Sequence, residues 1–472
     1  MLRKTDPLEI APYLKDASNN PDGFASAVVI PENETELRQF LLENTDAITI
    51  SGAGTGLTAG RTPQGGVIVS MERFLNLQIR EDACVEVGAG VALKDLQNHL
   101  QNTSWFYPPN PTENLASLGG NFATNASGSR SYKFGVTRDY VQKADIFLSD
   151  GRKCVVSRGD KICSPLKLED GSTIDFPQVS YLSPQCKNAT GFFVRPNMDW
   201  LDLFIGSGGT LGIVTEIKLK TVPKPSHFLS GILFFDEDEP LWMLVRKFKE
   251  SDIEGISPCS LEYFDFYSLE MLRSRFGTIP GRARAALFFE QDIYGDDVYD
   301  NIVERWFDFL ESKDVNLDDS WISQNERDVA KFHDFRHALP SLVNEELSRN
   351  NSVKVGTDMA APFEYFEDLM RFYKRELSAS NVKYVVFGHI GDNHLHINFF
   401  PEEDTKEKIA ALYQGMVNQV LAWGGTISAE HGIGKLKKQY FHQMAGEQGL
   451  EDMKIIKSVF DSKGLLGQGN ML

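Results

Sequence analysis

Residues 47–60 read AITISGAGTGLTAG, an apolar run that opens into ten residues holding four glycines. AITI (47–50) has the apolar, β-branched character of a strand. Glycines at 52, 54 and 56 let a backbone approach a ligand closely and turn its N–H groups toward a pyrophosphate. A doubly wound dinucleotide fingerprint needs a strand, G-x-G-x-x-G and then a helix. Here the glycines alternate and TAGRTPQGG (58–66) follows, whose glycines and proline will not start a helix. No Gly-Lys-Ser/Thr follows either, which removes the Walker A reading. What remains is a phosphate cradle of another type or, taken alone, an ordinary glycine-rich turn.

Working outward, SLGGNFATNASGSRS (117–131) and FIGSGGTLGI (204–213) have the same texture. Three such loops in one half of the chain point to a large, flat, phosphate-bearing ligand contacted mostly by main chain. Short strands are predicted between them at 26–30 (SAVVI), 65–71 (GGVIVSM) and 83–90 (ACVEVGAG). A helix is predicted over PENETELRQFLLEN (31–44), with Asn33 and Glu36 in a capping-box arrangement, and another from Val91 to Gln101. This half reads as α+β or α/β, with small sheets flanked by helices.

The chain has 472 residues, which at about 150 per domain fits two or three domains. Its net charge of −18 makes nucleic acid an unexpected partner, since phosphate binding needs clustered Lys and Arg. Residues 231–330 hold 23 acidic and 10 basic side chains. That excess reads as solvated helix faces, with docking to a basic electron-transfer partner as the alternative. The first residues, MLRKTDPLEIAPYLKD, are charged throughout and carry no apolar targeting core. No run of about 18 apolar residues exists, so no membrane-spanning segment is expected. The five cysteines are widely spaced and form no CxxC pair, so neither a disulfide framework nor an iron–sulfur site is expected. A reduced, cytoplasmic protein is the expectation.

Residues 219–226 (LKTVPKPS) read as a domain boundary. Beyond it, amphipathic helices are predicted at 239–251 and 298–313, and strands at 231–235, 284–291 and 383–389. Seven of the nine histidines lie between residues 331 and 442. In FGHIGDNHLHINFF, His394 and His396 share one strand face, and the turn at 390–393 can bring His389 to the same side. Downstream, GGTISAEHGIGK places Glu430 beside His431 in a glycine-rich loop. Imidazoles plus a carboxylate suit an open divalent-metal site. On composition alone, a hydrogen-bonded structural histidine cluster is the more usual reading.

The series AITISGAGTGLTAG…GGVIVSMERF, ACVEVGAGVALKDL, NLASLGGNFATNASGSRSYKFGVTRDYV and DLFIGSGGTLGIVTEIKL resembles, in order and spacing, the FAD-binding domain of vanillyl-alcohol-oxidase-type (PCMH-type) flavoproteins. The resemblance implies an α+β protein: an FAD-binding domain of two small α/β subdomains over residues 1–223, then a substrate domain over 224–472 with an antiparallel sheet flanked by helices. It implies that Ser51, Gly52, Ala53, Gly54, Thr55, Gly56, Leu57 and Thr58 wrap the pyrophosphate of FAD. Pro108, Ser117, Gly119, Gly120, Asn125, Gly128 and Ser129 would line the flavin, and Gly209, Gly212 and Ile213 would lie against the rest. Members often carry Glu where this chain has Gly208. Some hold flavin covalently through a histidine near the pyrophosphate loop. The single histidine of residues 1–223 is His99, inside a predicted helix, so non-covalent FAD is expected.

The two C-terminal segments are similar to those of FAD-linked D-2-hydroxyacid dehydrogenases, the family of D-lactate dehydrogenase, the glycolate oxidase flavin subunit and D-2-hydroxyglutarate dehydrogenase. The common form there is H-x-G-D-G-N-L-H. His389 and His396 keep its spacing, whereas Asp392-Asn393-His394 replaces Asp-Gly-Asn and adds His394 as a candidate donor. The resemblance implies His389, His396 and Glu430 as ligands of a divalent metal, zinc first, with manganese or iron as alternatives. It implies His431 as base and Asn398 as a substrate contact. Arg336 and Lys354 are similar in context to the family's carboxylate binders, the alternative being surface or structural ion pairs. The implied activity is metal-assisted oxidation of a D-2-hydroxy acid to the 2-oxo acid, with hydride transfer to flavin N5. Electrons would leave to an electron-transfer flavoprotein, a quinone or a cytochrome, and a homodimer is one expected assembly. Two alternatives differ in class. One is a non-redox flavin-dependent transferase resembling alkyl-dihydroxyacetonephosphate synthase. The other is a binding protein with a degenerate site, against which the intact Glu430-His431 pair argues.

Overall fold

The computed structural model describes residues 1–80, 82–350 and 352–472. The strand that feeds the first glycine loop is Ile48–Ser51. It runs parallel to Val67–Ser70, which also has Ala27–Ile30 as a parallel neighbour, and Leu2–Lys4 closes this four-stranded sheet antiparallel. Joining two strands in the same direction requires a crossover, here the helix Glu34–Glu43. Asn33 Oδ1 accepts from the Glu36 N–H at 3.0 Å, while the Glu36 carboxylate reaches back past the cap to the Glu32 N–H. Leu37, Phe40 and Leu41 bury one face of the helix against Val29, Val67 and Val69.

A second sheet is wholly antiparallel, in the order Leu77–Ile79, Cys84–Gly88, Ile213–Lys220, Val141–Phe147 and Lys153–Ser157. Its central strand arrives from the third glycine loop, so that loop is anchored between two hydrogen-bonded neighbours. The helix expected from Val91 runs Leu93–Leu100.

Residues 227–399 build one antiparallel sheet of eight strands. Alternation within His227–Phe235 sends Ile232 and Phe234 to one face and Leu233 and Phe235 to the other. The first face is covered by Phe332, Phe335, Leu339 and Val343 of the long helix Glu326–Arg349. The second is covered by Leu241, Trp242, Val245 and Phe248 of the helix Asp238–Glu250. Helices therefore sandwich this sheet, and an α+β fold results.

After the helix Lys438–Phe460 the chain returns to the first sheet. The Ile48 N–H donates to Leu465 O at 2.7 Å, and Leu466 joins the core beneath that sheet. The segment before this helix also touches the first loop, where the Lys435 N–H donates to Thr58 O at 2.9 Å. All five cysteines are free. No helix among the described residues is long and apolar enough to cross a membrane.

Candidate active site

One cavity of 1590 Å³ is bordered by the glycine loops of the first half and by the histidine-bearing strands of the second. Gly52 through Thr58, Ser117, Gly119, Gly120, Gly128, Gly209 and Gly212 all border it. Five residues of the expected FAD set do not. Ser51 is fully buried in the strand that pairs with Ser70. Pro108 is buried beside the loop. Asn125 ends the helix Leu118–Thr124 in the left-handed region, and its Oδ1 accepts from the Arg138 N–H at 2.9 Å. Ser129 Oγ accepts from Asn110 at 3.1 Å. Ile213 lies in the core beneath the first sheet. Asn125 instead borders a small second pocket beside Arg138 and Gly206.

The cradle is tight. A Cβ at Gly52 would lie 2.4 Å from Ser117 Oγ, the hydroxyl that caps Leu118–Thr124 through the Gly120 N–H. Gly54 has φ +79°, and a Cβ there would meet the Arg61 guanidinium at 2.4 Å. Two glycine positions that admit no side chain and a volume above the usual drug-sized range of about 300–1000 Å³ fit an extended dinucleotide. Gly52→Val is therefore expected to weaken FAD retention about tenfold or more, since overpacking costs about 1–3 kcal/mol. The flavin absorbance per protein after gel filtration checks this.

At the other end, the strands Tyr384–Gly388 and His394–Phe399 form a hairpin around a short 3₁₀ turn, Ile390–Asp392. Asn393 takes the left-handed conformation that closes it, at φ 53° and ψ 39°. The turn returns the chain so that the rings of His389 and His396 stand 5.7 Å apart. Glu430 enters from the loop between the last two long helices. Its Oε1 lies 3.3 Å from His389 Nε2, 3.4 Å from His396 Nε2 and 3.8 Å from His431 Nε2. Donors about 2.0–2.2 Å from a common tetrahedral ion sit about 3.3 Å from one another, so this set fits a divalent metal. Ser127 Oγ at 2.7 Å and Lys187 Nζ at 3.1 Å hold Oε2, which like Oε1 lies 3.3 Å from His389 Nε2. Burial opposes the Glu430 charge, but Lys187 and His389 outweigh it and keep the carboxyl well below its usual range.

Behind the histidines stand two further carboxylates. Glu262 Oε1 is 2.6 Å from His389 Nδ1, and Asp358 Oδ2 is 3.4 Å from His431 Nδ1. Asp358 also accepts from the His431 N–H at 3.0 Å and from Lys437 at 2.7 Å. Burial pushes the His431 imidazole down to about 4 despite Asp358, so the ring is neutral near pH 7. Its ring stacks on His396 at 5.3 Å. Arg336, Lys354 and Asn398 all border the cavity. The Arg336 guanidinium already faces Glu262 at 3.4 Å. Lys354 makes no ion pair among the described residues, and burial lowers its pKa.

A family model for the C-terminal domain of FAD linked oxidases matches residues 224–471, more than half of the chain. The chain belongs to the FAD linked oxidases. A second model, for an FAD binding domain, matches residues 25–157. This FAD linked oxidase is 27% identical to the glycolate oxidase subunit GlcD of Bacillus subtilis over 97% of its length and 91% of the relative's. It is 28% identical to a D-lactate dehydrogenase of Anaerostipes hadrus, over 91% and 85%. A D-2-hydroxyglutarate dehydrogenase of Stutzerimonas stutzeri is 25% identical, over 99% and 95%. Among solved structures, an alkyldihydroxyacetonephosphate synthase shares the fold at a TM-score of 0.66 and 14% identity, covering 98% of this chain and 82% of that one. The chain is thus an FAD-linked oxidoreductase.

Several site residues of this FAD linked oxidase escape sequence reading. Lys187, Ser127, Asp358 and Lys437 carry no local signal. Glu262 does: it is an acidic residue inside the apolar run SLEYF, all buried in the strand Ser260–Phe264. Glu262, Asp265, Glu290 and Asp292 are buried members of the acidic 231–330 stretch, which reads in sequence as solvated helix faces. Glu290 pairs with Arg130 at 2.6 Å and Asp292 with Lys133 at 2.7 Å, so these acids clamp the second glycine loop to the large sheet.

Proposed function

We propose that this oxidoreductase converts a D-2-hydroxy acid of the D-lactate, glycolate or D-2-hydroxyglutarate class to its 2-oxo acid, using non-covalent FAD and a divalent metal. The observation that carries the reading is the meeting of His389, His396, Glu430 and His431 on the wall of a cavity whose other wall is the glycine cradle. The names of the relatives support the same substrate class. His99 is exposed and does not border the cavity, which supports non-covalent FAD.

Bound FAD would supply a hydride acceptor at N5. A divalent ion held by His389, His396 and Glu430 would supply a Lewis acid for the substrate hydroxyl. The remaining work falls to the chain. Lys354 takes the substrate carboxylate with its unpaired ammonium, and Asn398 adds a neutral hydrogen-bonding group beside it. Arg336 closes the same wall, its guanidinium steadied by Glu262. The Asp358 carboxylate, 3.4 Å from His431 Nδ1, favours the proton on that nitrogen and would leave Nε2 as the base for the hydroxyl proton. Electrons leave to a separate acceptor, for which an electron-transfer flavoprotein, a quinone and a cytochrome are the candidates.

Lys354→Met is expected to raise KM about 10–100-fold and to change kcat much less, because a hydrogen bond to a charged group contributes about 1.5–3 kcal/mol. Steady-state kinetics with the preferred acid checks it. The function itself is tested by dye-coupled turnover of D- and L-lactate, glycolate and D-2-hydroxyglutarate, with the 2-oxo acid measured directly. Turnover of glycolate or a D-acid without turnover of the L-isomer supports the reading, and no oxidation of any of them contradicts it. The transferase alternative rests on likeness of fold to the synthase, and no feature of the site favours it.

A further inference from the structure

We propose that His394 is a fourth protein ligand of the metal, bound through Nδ1, with Asp358 fixing the tautomer that makes this so. The proposal rests on the metal site of the function proposed above and adds a donor to it. His394 is the first residue of the strand His394–Phe399 and is completely buried. Its Nε2 lies 3.0 Å from Asp358 Oδ1. Asp358 receives Lys437 at 2.7 Å and Ser428 Oγ at 2.5 Å on its other oxygen, so it is an ionised acceptor. The proton of the neutral ring therefore sits on Nε2, and Nδ1 carries the lone pair. That Nδ1 is buried without a hydrogen-bond partner among the described residues. Buried polar atoms are almost always paired, so an unpaired imidazole nitrogen here calls for an occupant.

The geometry supplies one. A ring nitrogen of His394 lies within 4.8 Å of ligating atoms of His389, His396 and Glu430. Its ring stands 4.6 Å from that of His396 and 5.2 Å from that of His389. A carboxylate holds one nitrogen of each of the two histidines nearest the turn, Glu262 at Nδ1 of His389 and Asp358 at Nε2 of His394; the other nitrogen of His389 faces Glu430 at 3.3 Å, whereas that of His394 has no partner among the described residues. Such carboxylate–histidine pairs are the usual outer partners of metal-bound imidazole. The local sequence explains how the extra ring arrives. Asn393 accepts the left-handed turn position and donates to Ala361 O and Pro362 O at 3.0 and 3.1 Å. The next position is then free to carry an imidazole instead of an amide. Three imidazoles and one carboxylate would complete a tetrahedral set, so substrate would need a further position on the ion. That favours an ion that accepts five or six donors, such as Mn²⁺, Fe²⁺ or Co²⁺, over tetrahedral Zn²⁺.

The test uses the full-length FAD-loaded protein, stripped of metal by a chelator and reloaded with Co²⁺. X-ray absorption at the cobalt edge counts imidazoles. Three are expected in the parent and two in His394→Asn. Competition with a chelating dye is expected to show Co²⁺ binding at least about tenfold weaker in His394→Asn and in Asp358→Asn. FAD content and thermal melting establish that each variant is folded, and the imidazole count in the parent needs no variant at all. Two imidazoles in the parent, or an unchanged cobalt spectrum and affinity in His394→Asn, overturn the role of His394 and leave the three-ligand site standing. A parent that takes up no Co²⁺ overturns the metal site itself.

Discussion

Replacing His431 by alanine is expected to slow flavin reduction by the preferred acid about 10²–10⁴-fold, the usual contribution of a positioned general base. FAD content and metal content stay at the parent level, because His431 Nε2 lies 3.8 Å from Glu430, farther than either His389 or His396. The ring is placed for one task. Asp358 stands behind Nδ1, His396 stacks on one face, and the side chain is 27% exposed on the cavity side. Stopped-flow absorbance at saturating substrate measures the step directly. An unchanged reduction rate in His431→Ala would remove the residue from the chemistry.

Glu430→Gln is expected to be at least as severe and to fail differently. The substitution keeps the shape and removes the charge on which two cationic groups depend. Lys187 Nζ lies 3.1 Å from Oε2, and His389, pushed up to about 9 by Glu262 and Glu430 against the cost of burial, lies 3.3 Å from Oε1. Breaking a buried ion pair from one side costs about 3–5 kcal/mol, so the melting temperature falls even without metal. Loss of a metal ligand also removes several kcal/mol of transition-state stabilisation, about 10³-fold in kcat/KM. Scanning calorimetry of the metal-stripped proteins separates the first effect from the second. Equal melting of metal-stripped parent and variant would mean that Glu430 and Lys187 do not depend on each other.

What the sequence reveals is what local rules govern. The glycine loops are legible because a side-chain-free backbone is a local requirement. The strand ends fall within a few residues because alternation needs no distant information: the run at 231–235 extends to His227–Phe235 and that at 284–291 becomes Ala285–Ile293. The meeting of His389 with His396 is legible because one tight turn joins them. Glu262 meets His389 across 127 residues, and Lys187 meets Glu430 from a loop with no regular structure. No pattern of spacing announces those pairs. The return of Leu465 and Leu466 to the Ile48 strand is likewise a product of packing alone. Ser51, Pro108, Asn125, Ser129 and Ile213 do not border the cavity, and their burial and hydrogen bonds, such as that of Asn125 with Arg138, come from packing that a loop motif does not spell out.

In the proposed function one cavity holds both a hydride acceptor and the groups that activate a D-2-hydroxy acid. An anaerobic titration of the purified protein with D-lactate, L-lactate, glycolate and D-2-hydroxyglutarate tests it most directly, read at the flavin band near about 450 nm. A D-acid or glycolate is expected to bleach the band and L-lactate to leave it; an added acceptor restores it, and prior chelation prevents the bleaching. A flavin band left intact by every one of these acids would contradict it.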